Sequence, residues 1–247
     1  SLLLWFAGRA AIRRLRRKAE PFAAPGTHKQ ITVTRDFSFQ IFNEQPRPKL
    51  TELEPGIWYI NLDQITDADF KQALPKLAAA RGIVFDLRGY PTNIGPDTLF
   101  PHLTQQPMTS AQWHKPEITR PDHQQLKFVR GGEWDIQPHA PFLKAKRAFI
   151  TDGRAISYAE SCMGIVEHYK LGAIVGGATA GTNGTINPFS LPSGHTISWT
   201  GMKVLKHDGS QHHGVGIRPT LPVTRTRAGV AAGRDELLER ALEALKY

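Results

Sequence analysis

Sulfur is scarce in this sequence of 247 residues, which contains one cysteine, Cys162, and three methionines. A lone cysteine excludes an internal disulfide and any cysteine-rich metal signature. No apolar run reaches the roughly 20 residues needed to cross a bilayer, so no integral membrane segment is expected. Internal repeats and low-complexity tracts are lacking. So is a phosphate-binding Gly-x-x-x-x-Gly-Lys-Ser/Thr loop, which argues against a kinase or dehydrogenase. The sequence opens at Ser1 with neither an initiator methionine nor a cleavable signal pattern, as expected of a segment cut from a longer protein.

What is present points to a globular chain. Its hydrophobic content of 40% suffices for one large core, or for a main domain with an appendage. The net charge of +9 is unevenly placed: Arg9, Arg13, Arg14, Arg16, Arg17 and Lys18 follow Leu2-Leu3-Leu4-Trp5-Phe6 in one helix-like stretch. An anionic membrane surface or a nucleic acid would suit such a stretch, but no nucleic-acid motif accompanies it.

Strands alternate with helices along the rest. Ile57 to Asn61 reads as a strand, Thr66 caps a helix running to Ala80, and Ile83 to Asp86 is a second strand. Pro96 to Pro141 is polar and proline-rich, and reads as an irregular insertion carrying His114 and His123. Thr196 to Trp199 and Met202 to Lys206 read as a hairpin around Thr200-Gly201, and Asp235 to Leu245 as a closing amphipathic helix.

The chemistry centres on Thr151-Asp152-Gly153-Arg154-Ala155-Ile156-Ser157-Tyr158-Ala159-Glu160-Ser161. The apolar run Ala148 to Thr151 is a strand. Tyr158 to Tyr169 is a helix with Ala159, Met163, Val166 and Tyr169 on its apolar face and Glu160 away from it. Ser157 thus stands at a helix N-terminus, where free N–H groups and the helix dipole can stabilise an oxyanion, by about 3 to 4 kcal/mol per well-placed donor. A plain N-cap serine is the alternative reading.

Two further segments bear on that choice. Gly82-Ile83-Val84-Phe85-Asp86-Leu87-Arg88-Gly89-Tyr90-Pro91-Thr92-Asn93 is a strand entering a Gly/Pro turn, and Gly176 to Gly184 is a glycine-dense loop. With Gly214-Val215-Gly216-Ile217-Arg218-Pro219-Thr220, the set resembles the core of the C-terminal processing peptidases, or tail-specific proteases, over roughly Ile57 to Val223. The resemblance implies an α/β fold with a spiral β-α core of the ClpP-like and crotonase-like type. It also implies a serine endopeptidase acting on unstructured C-terminal segments of peptides or proteins, without cofactor or metal. An extracytoplasmic, periplasmic setting is expected over a cytoplasmic one. Residues 1–46, with the turn Pro25-Gly26 and the alternating Gln30 to Arg35, resemble the end of a PDZ domain and its linker, which leaves residues 47–247 as the catalytic core and disfavours nucleic-acid binding.

By the same resemblance Ser157 is the nucleophile, and the backbone N–H groups of Gly89 and Tyr158 form the oxyanion hole. The family's lysine base has no counterpart, because Thr182 and Asn183 occupy its place; Lys170, Lys203 and Lys206 lie elsewhere. The sequence is closer to the tricorn-like branch and to the repeats of interphotoreceptor retinoid-binding protein. In the tricorn-like branch the base is a histidine before the PDZ domain, helped by a serine and by a glutamate whose position falls at or next to His213. His213 is therefore the candidate base within this chain, since imidazole can accept the serine proton and return it to the leaving amine. On an alternating strand at most one of His212 and His213 would face Ser157. A metal cluster of His207, Asp208, His212 and His213 is disfavoured by spacing. A non-catalytic module binding a peptide or a hydrophobic ligand is the rival function, and a third possibility places the base before Ser1.

Overall fold

The computed structural model describes residues 47–246. The basic stretch and the expected PDZ remnant, residues 1–46, lie outside the described residues. The strands are β1 (Leu50–Glu54), β2 (Ile57–Asn61), β3 (Gly82–Asp86), β4 (Met108–Thr109), β5 (Gln112–Glu117), β6 (Lys127–Arg130), β7 (Asp135–Ile136), β8 (Lys146–Thr151), β9 (Ala173–Gly176), β10 (Ile186–Ser190), β11 (Thr196–Thr200), β12 (Lys203–Leu205) and β13 (Leu221–Pro222). The helices are α1 (Asp67–Ala78), α2 (Pro96–Leu99), α3 (Tyr158–Tyr169), α4 (Arg227–Ala231) and α5 (Glu236–Ala244).

The central sheet has the order β1-β2-β3-β8-β9-β13, with β1 antiparallel to β2 and the remaining pairings parallel. The central strands β3, β8 and β9 are buried on both faces, so their residues alternate between two cores. Ile83, Phe85 and Phe149 point into the larger core with Phe70, Leu74 and Leu77 of α1 and Met163 and Val166 of α3. Val84, Ala148 and Ile150 point into the smaller one, closed by Leu237, Ala241 and Leu245. This is the mixed α/β fold expected from the alternation of strands and helices. Helix α1 begins where its chemistry says it should: the Thr66 hydroxyl accepts from the Asp69 N–H, and the Asp69 carboxylate accepts from the Thr66 N–H.

One buried charged network ties α5 to the sheet. Arg88, fully buried, donates to Asp86 at 2.6 Å and to Asp235, the N-cap of α5, at 2.7 Å. The Tyr59 hydroxyl donates to Asp86 at 2.7 Å. Burial alone would raise the Asp86 carboxyl; the hydrogen bonds and charge of Arg88 outweigh it and hold it below its ordinary value.

Two sequence expectations are corrected. The segment from Pro96 to Pro141 is not irregular: β5 and β6 form a hairpin within it, and β4 pairs with β7. Nor do Thr196–Trp199 and Met202–Lys206 pair with each other. β11 pairs with β10, and β12 pairs with β5 from the insertion, placing Lys203 opposite His114. The pairing of β12 with β5 joins segments distant in sequence, which a local reading of turn residues cannot supply.

Candidate active site

Because β3, β8 and β9 are parallel and in register, with Asp86 beside Ile150 and Thr151 beside Gly176, their exits emerge at one edge of the sheet. The turn after Asp86, the loop to Ser157 and the glycine loop after Gly176 therefore meet, at the carboxyl edge where open α/β sheets build sites. Backbone bonds knit them together: Gly177 N–H donates to Thr151 C=O at 3.0 Å, and Ala180 N–H to Ala155 C=O at 3.1 Å.

Ser157 occupies the N-cap position of α3 with φ 50° and ψ −112°. That is a region side-chain-bearing residues avoid, at a cost of about 1–3 kcal/mol. The hydroxyl makes no capping bond and, among the described residues, no other hydrogen bond. The residue is half-buried. A strained serine between a strand and a helix, its hydroxyl left unspent, differs from an ordinary N-cap serine in both respects.

Glu160 explains how the strained turn is held. Ser-x-x-Glu is the spacing of a capping box, yet the reciprocal bonds do not form. The Glu160 carboxylate, 1% exposed, turns instead to the glycine loop. It accepts from the Thr179 hydroxyl at 2.6 Å, the Gly181 N–H at 2.6 Å and the Thr182 N–H at 2.8 Å. The Thr182 carbonyl then accepts the Ser157 N–H at 2.8 Å. Gly181, at φ +70°, lies so close to the 212–216 turn that a Cβ would come within 2.9 Å of the Gly214 nitrogen. The expectation that Glu160 lies away from the apolar face is corrected: it is buried, because four backbone and side-chain groups of the glycine loop and the 212–216 turn converge on it.

The Tyr158 N–H, in the first turn of α3, has no hydrogen-bond partner among the described residues, and neither has the Gly89 N–H. Gly89 is pressed against Asp63, whose carboxyl carbon would lie 2.6 Å from an added Cβ. Asp63 also accepts the Tyr90 N–H at 3.2 Å. Beside this turn lies a cleft of about 430 Å³ lined by Asp67, Tyr90 to Pro96, Trp134 and Tyr158. Ser157 does not itself line the cleft; its neighbour Tyr158 does.

The sequence model of peptidase family S41 matches residues 56–223, more than half of the chain. The chain belongs to peptidase family S41. Solved structures show the same fold. A candidate peptidase from Parabacteroides merdae is similar at 16% identity and a TM-score of 0.64, over 79% of this chain and 63% of that one. Mature CPAF complexed with lactacystin is similar at 12% identity and 0.60, over 77% and 51%. The tricorn protease is similar at 18% identity and 0.51, over 77% and 17%. The chain thus spans less than two thirds of the length of each. No curated protein matches it in sequence.

In this S41 core none of Lys170, Lys203 and Lys206 hydrogen-bonds Ser157 among the described residues. Lys170 is exposed at the far end of α3, Lys203 is exposed on β12, and Lys206 pairs with Glu167 at 2.9 Å. His114 lies on β5 and His123 in an exposed turn. His213 requires a correction. Its Nε2 accepts from the Val204 N–H at 3.1 Å and its ring also hydrogen-bonds the Met202 backbone, so no lone pair is left for a serine proton. Burial, and then His212, lower its basicity further. Its neighbour is the one turned to the helix of Ser157: His212, 2% exposed, places Nε2 3.4 Å from Glu160 Oε2, close enough for charge pairing but off hydrogen-bond geometry. The two imidazoles do face different surroundings, although they lie in a turn and not on a strand. Among the described residues no group of three or more His, Cys, Asp or Glu is arranged to hold a metal ion, and no helix is long and apolar enough to cross a membrane.

Proposed function

We propose that this S41 core is a serine-type peptidase in which Ser157 is the nucleophile. The observation that carries the proposal is the strained backbone of Ser157 at the start of α3, with its hydroxyl uncommitted. Its Oγ attacks the scissile carbonyl carbon and its proton passes to a base. The resulting oxyanion is held by the Tyr158 and Gly89 N–H groups, both without hydrogen-bond partners among the described residues. Collapse breaks the C–N bond, the base returns the proton to the departing amine, and water then hydrolyses the acyl-serine ester. The base is brought to Ser157 from outside residues 47–246, as the resemblance to the tricorn-like branch implies. The substrate is an unstructured C-terminal peptide segment, gripped by a PDZ domain to which residues 1–46 belong. An extracytoplasmic setting belongs to the same proposal and is supported by the sequence resemblance alone.

A fluorophosphonate probe tests it. Labelling that maps to Ser157, is lost in Ser157→Ala, and persists in His212→Ala and His213→Ala is the expected result. Labelling at another residue, or none in the full-length protein, overturns it. One observation favours a second reading, a peptide-binding module that does not cut: Thr182 stands where the family's lysine base is expected. Absence of labelling with retained peptide binding would establish that reading.

A further inference from the structure

Three aromatic rings, Tyr90, Trp134 and Tyr158, line the cleft beside the loop Pro91 to Pro96. Trp134 and Tyr158 meet edge to face with centroids 5.4 Å apart, Tyr90 lies 6.1 Å from Tyr158, and Trp113 backs Trp134 at 5.5 Å. The Tyr158 hydroxyl is spent on the Ile94 carbonyl at 2.8 Å, which ties its ring to the cleft's own loop. The Tyr158 ring is therefore held before any ligand arrives, with Trp134 packed between it and Trp113, while Tyr90 is exposed.

Charge in the cleft runs against that of the whole chain. The protein carries +9, yet the one charged residue lining the cleft is Asp67; Lys71, one turn further along α1, is outside the lining but close enough for its charge to act on Asp67. Asp67 Oδ1 accepts the Gly95 N–H at 2.9 Å, so the carboxylate is anchored to the cleft wall. Burial would raise its carboxyl, but the bonds from Gly95 and Thr98 and the charge of Lys71 outweigh this, keeping it ionised at neutral pH. Asp97, exposed on α2, adds a second negative charge acting on Tyr158.

From this geometry we infer that the cleft is a substrate subsite selecting a lysine or arginine side chain one or two residues from the scissile bond. A cation among aromatic rings gains from their quadrupoles, and its alkyl stem packs on them, while the Asp67 carboxylate supplies an ion pair at the wall. An acidic side chain would meet like charge. A purely apolar one would gain from the rings but not from the Asp67 charge. The inference rests on Ser157 marking the scissile bond, because Tyr158 belongs to both sites.

Binding can be read separately from cleavage. Labelled pentapeptides carrying lysine, norleucine, phenylalanine or glutamate at each position in turn are titrated into the Ser157→Ala protein and followed by fluorescence anisotropy. Lysine should bind at least about tenfold tighter than norleucine at one position, with glutamate weakest; each tenfold corresponds to 1.4 kcal/mol. Asp67→Asn, which keeps an oxygen for the Gly95 N–H, should erase the lysine preference and leave norleucine binding unchanged. Trp134→Leu should weaken lysine and norleucine together. Equal binding of lysine and norleucine, tighter binding of phenylalanine, or a lysine preference that survives Asp67→Asn would each overturn the subsite. Lysine-selective binding without any acylation of the wild-type serine would instead leave the subsite standing and remove Ser157 as the nucleophile.

Discussion

The Thr182 carbonyl accepts the Ser157 N–H at 2.8 Å, while the Thr182 N–H donates to Glu160 at 2.8 Å. One residue of the glycine loop thereby couples a buried carboxylate to the strained turn that presents the proposed nucleophile. The position at which the family resemblance expects a lysine base therefore acts here through its backbone.

Relief of strain at Ser157 should separate stability from activity. Ser157→Gly removes the side chain from a conformation that only glycine adopts without penalty, so unfolding free energy should rise by about 1 kcal/mol while probe labelling disappears. Urea denaturation beside the labelling assay checks it. A destabilised glycine variant would show that the serine side chain contributes packing that offsets the strain.

Glu160→Gln should cost more than a surface substitution. It keeps one oxygen but turns an NH2 toward groups that are themselves donors, at a cost of about 1–3 kcal/mol. Labelling of Ser157 should slow by at least about tenfold at temperatures where the variant is fully folded, because the Thr182 contact to Ser157 loosens. Unchanged labelling in the folded variant would mean that the loop does not position the serine.

Gly89→Ala tests the oxyanion turn. The new methyl meets the Asp63 carboxyl and pushes the turn outward, taking the Gly89 N–H with it. Loss of one such donor costs about a hundredfold in acylation rate. Labelling rates with Asp63→Ala in the same background should recover in part, because the obstacle is then removed.

The Arg88 network predicts a pH window for stability. Asp86 and Asp235 are both held below their ordinary 3.8; in each, burial opposes the shift and the Arg88 bonds outweigh it. Their contribution is complete above pH 3.8 and is lost as pH falls through the depressed folded-state values. Tyr59 is raised from 10.0 by burial, then by the charge and hydrogen bond of Asp86, so its contribution is complete below pH 10 and is lost above it. Urea midpoints should form a plateau between these limits. Arg88→Met should lower the plateau by about 3–5 kcal/mol, since Asp86 is left buried and only partly compensated by Arg47, 3.6 Å away.

The elements of the core were legible in sequence because each is written in local periodicity. Ile57–Asn61, the capped helix from Thr66, Gly82–Asp86, Lys146–Thr151, Tyr158–Tyr169 and the helix after Asp235 all carry their own apolar pattern and end signals. The place of Ser157 between strand and helix follows from the same pattern. What only tertiary structure decided are the partnerships between distant segments. β12 joins β5 and not β11, because strand pairing is settled by packing between segments some 90 residues apart. Glu160 is buried although charged, because the Thr179, Gly181 and Thr182 donors arrive from another loop. His213 loses its lone pair to Val204 while His212 turns inward, since the 211–216 segment folds as a turn and not as an alternating strand. Side-chain direction in a turn depends on the backbone's three-dimensional course, and no period in the sequence encodes it.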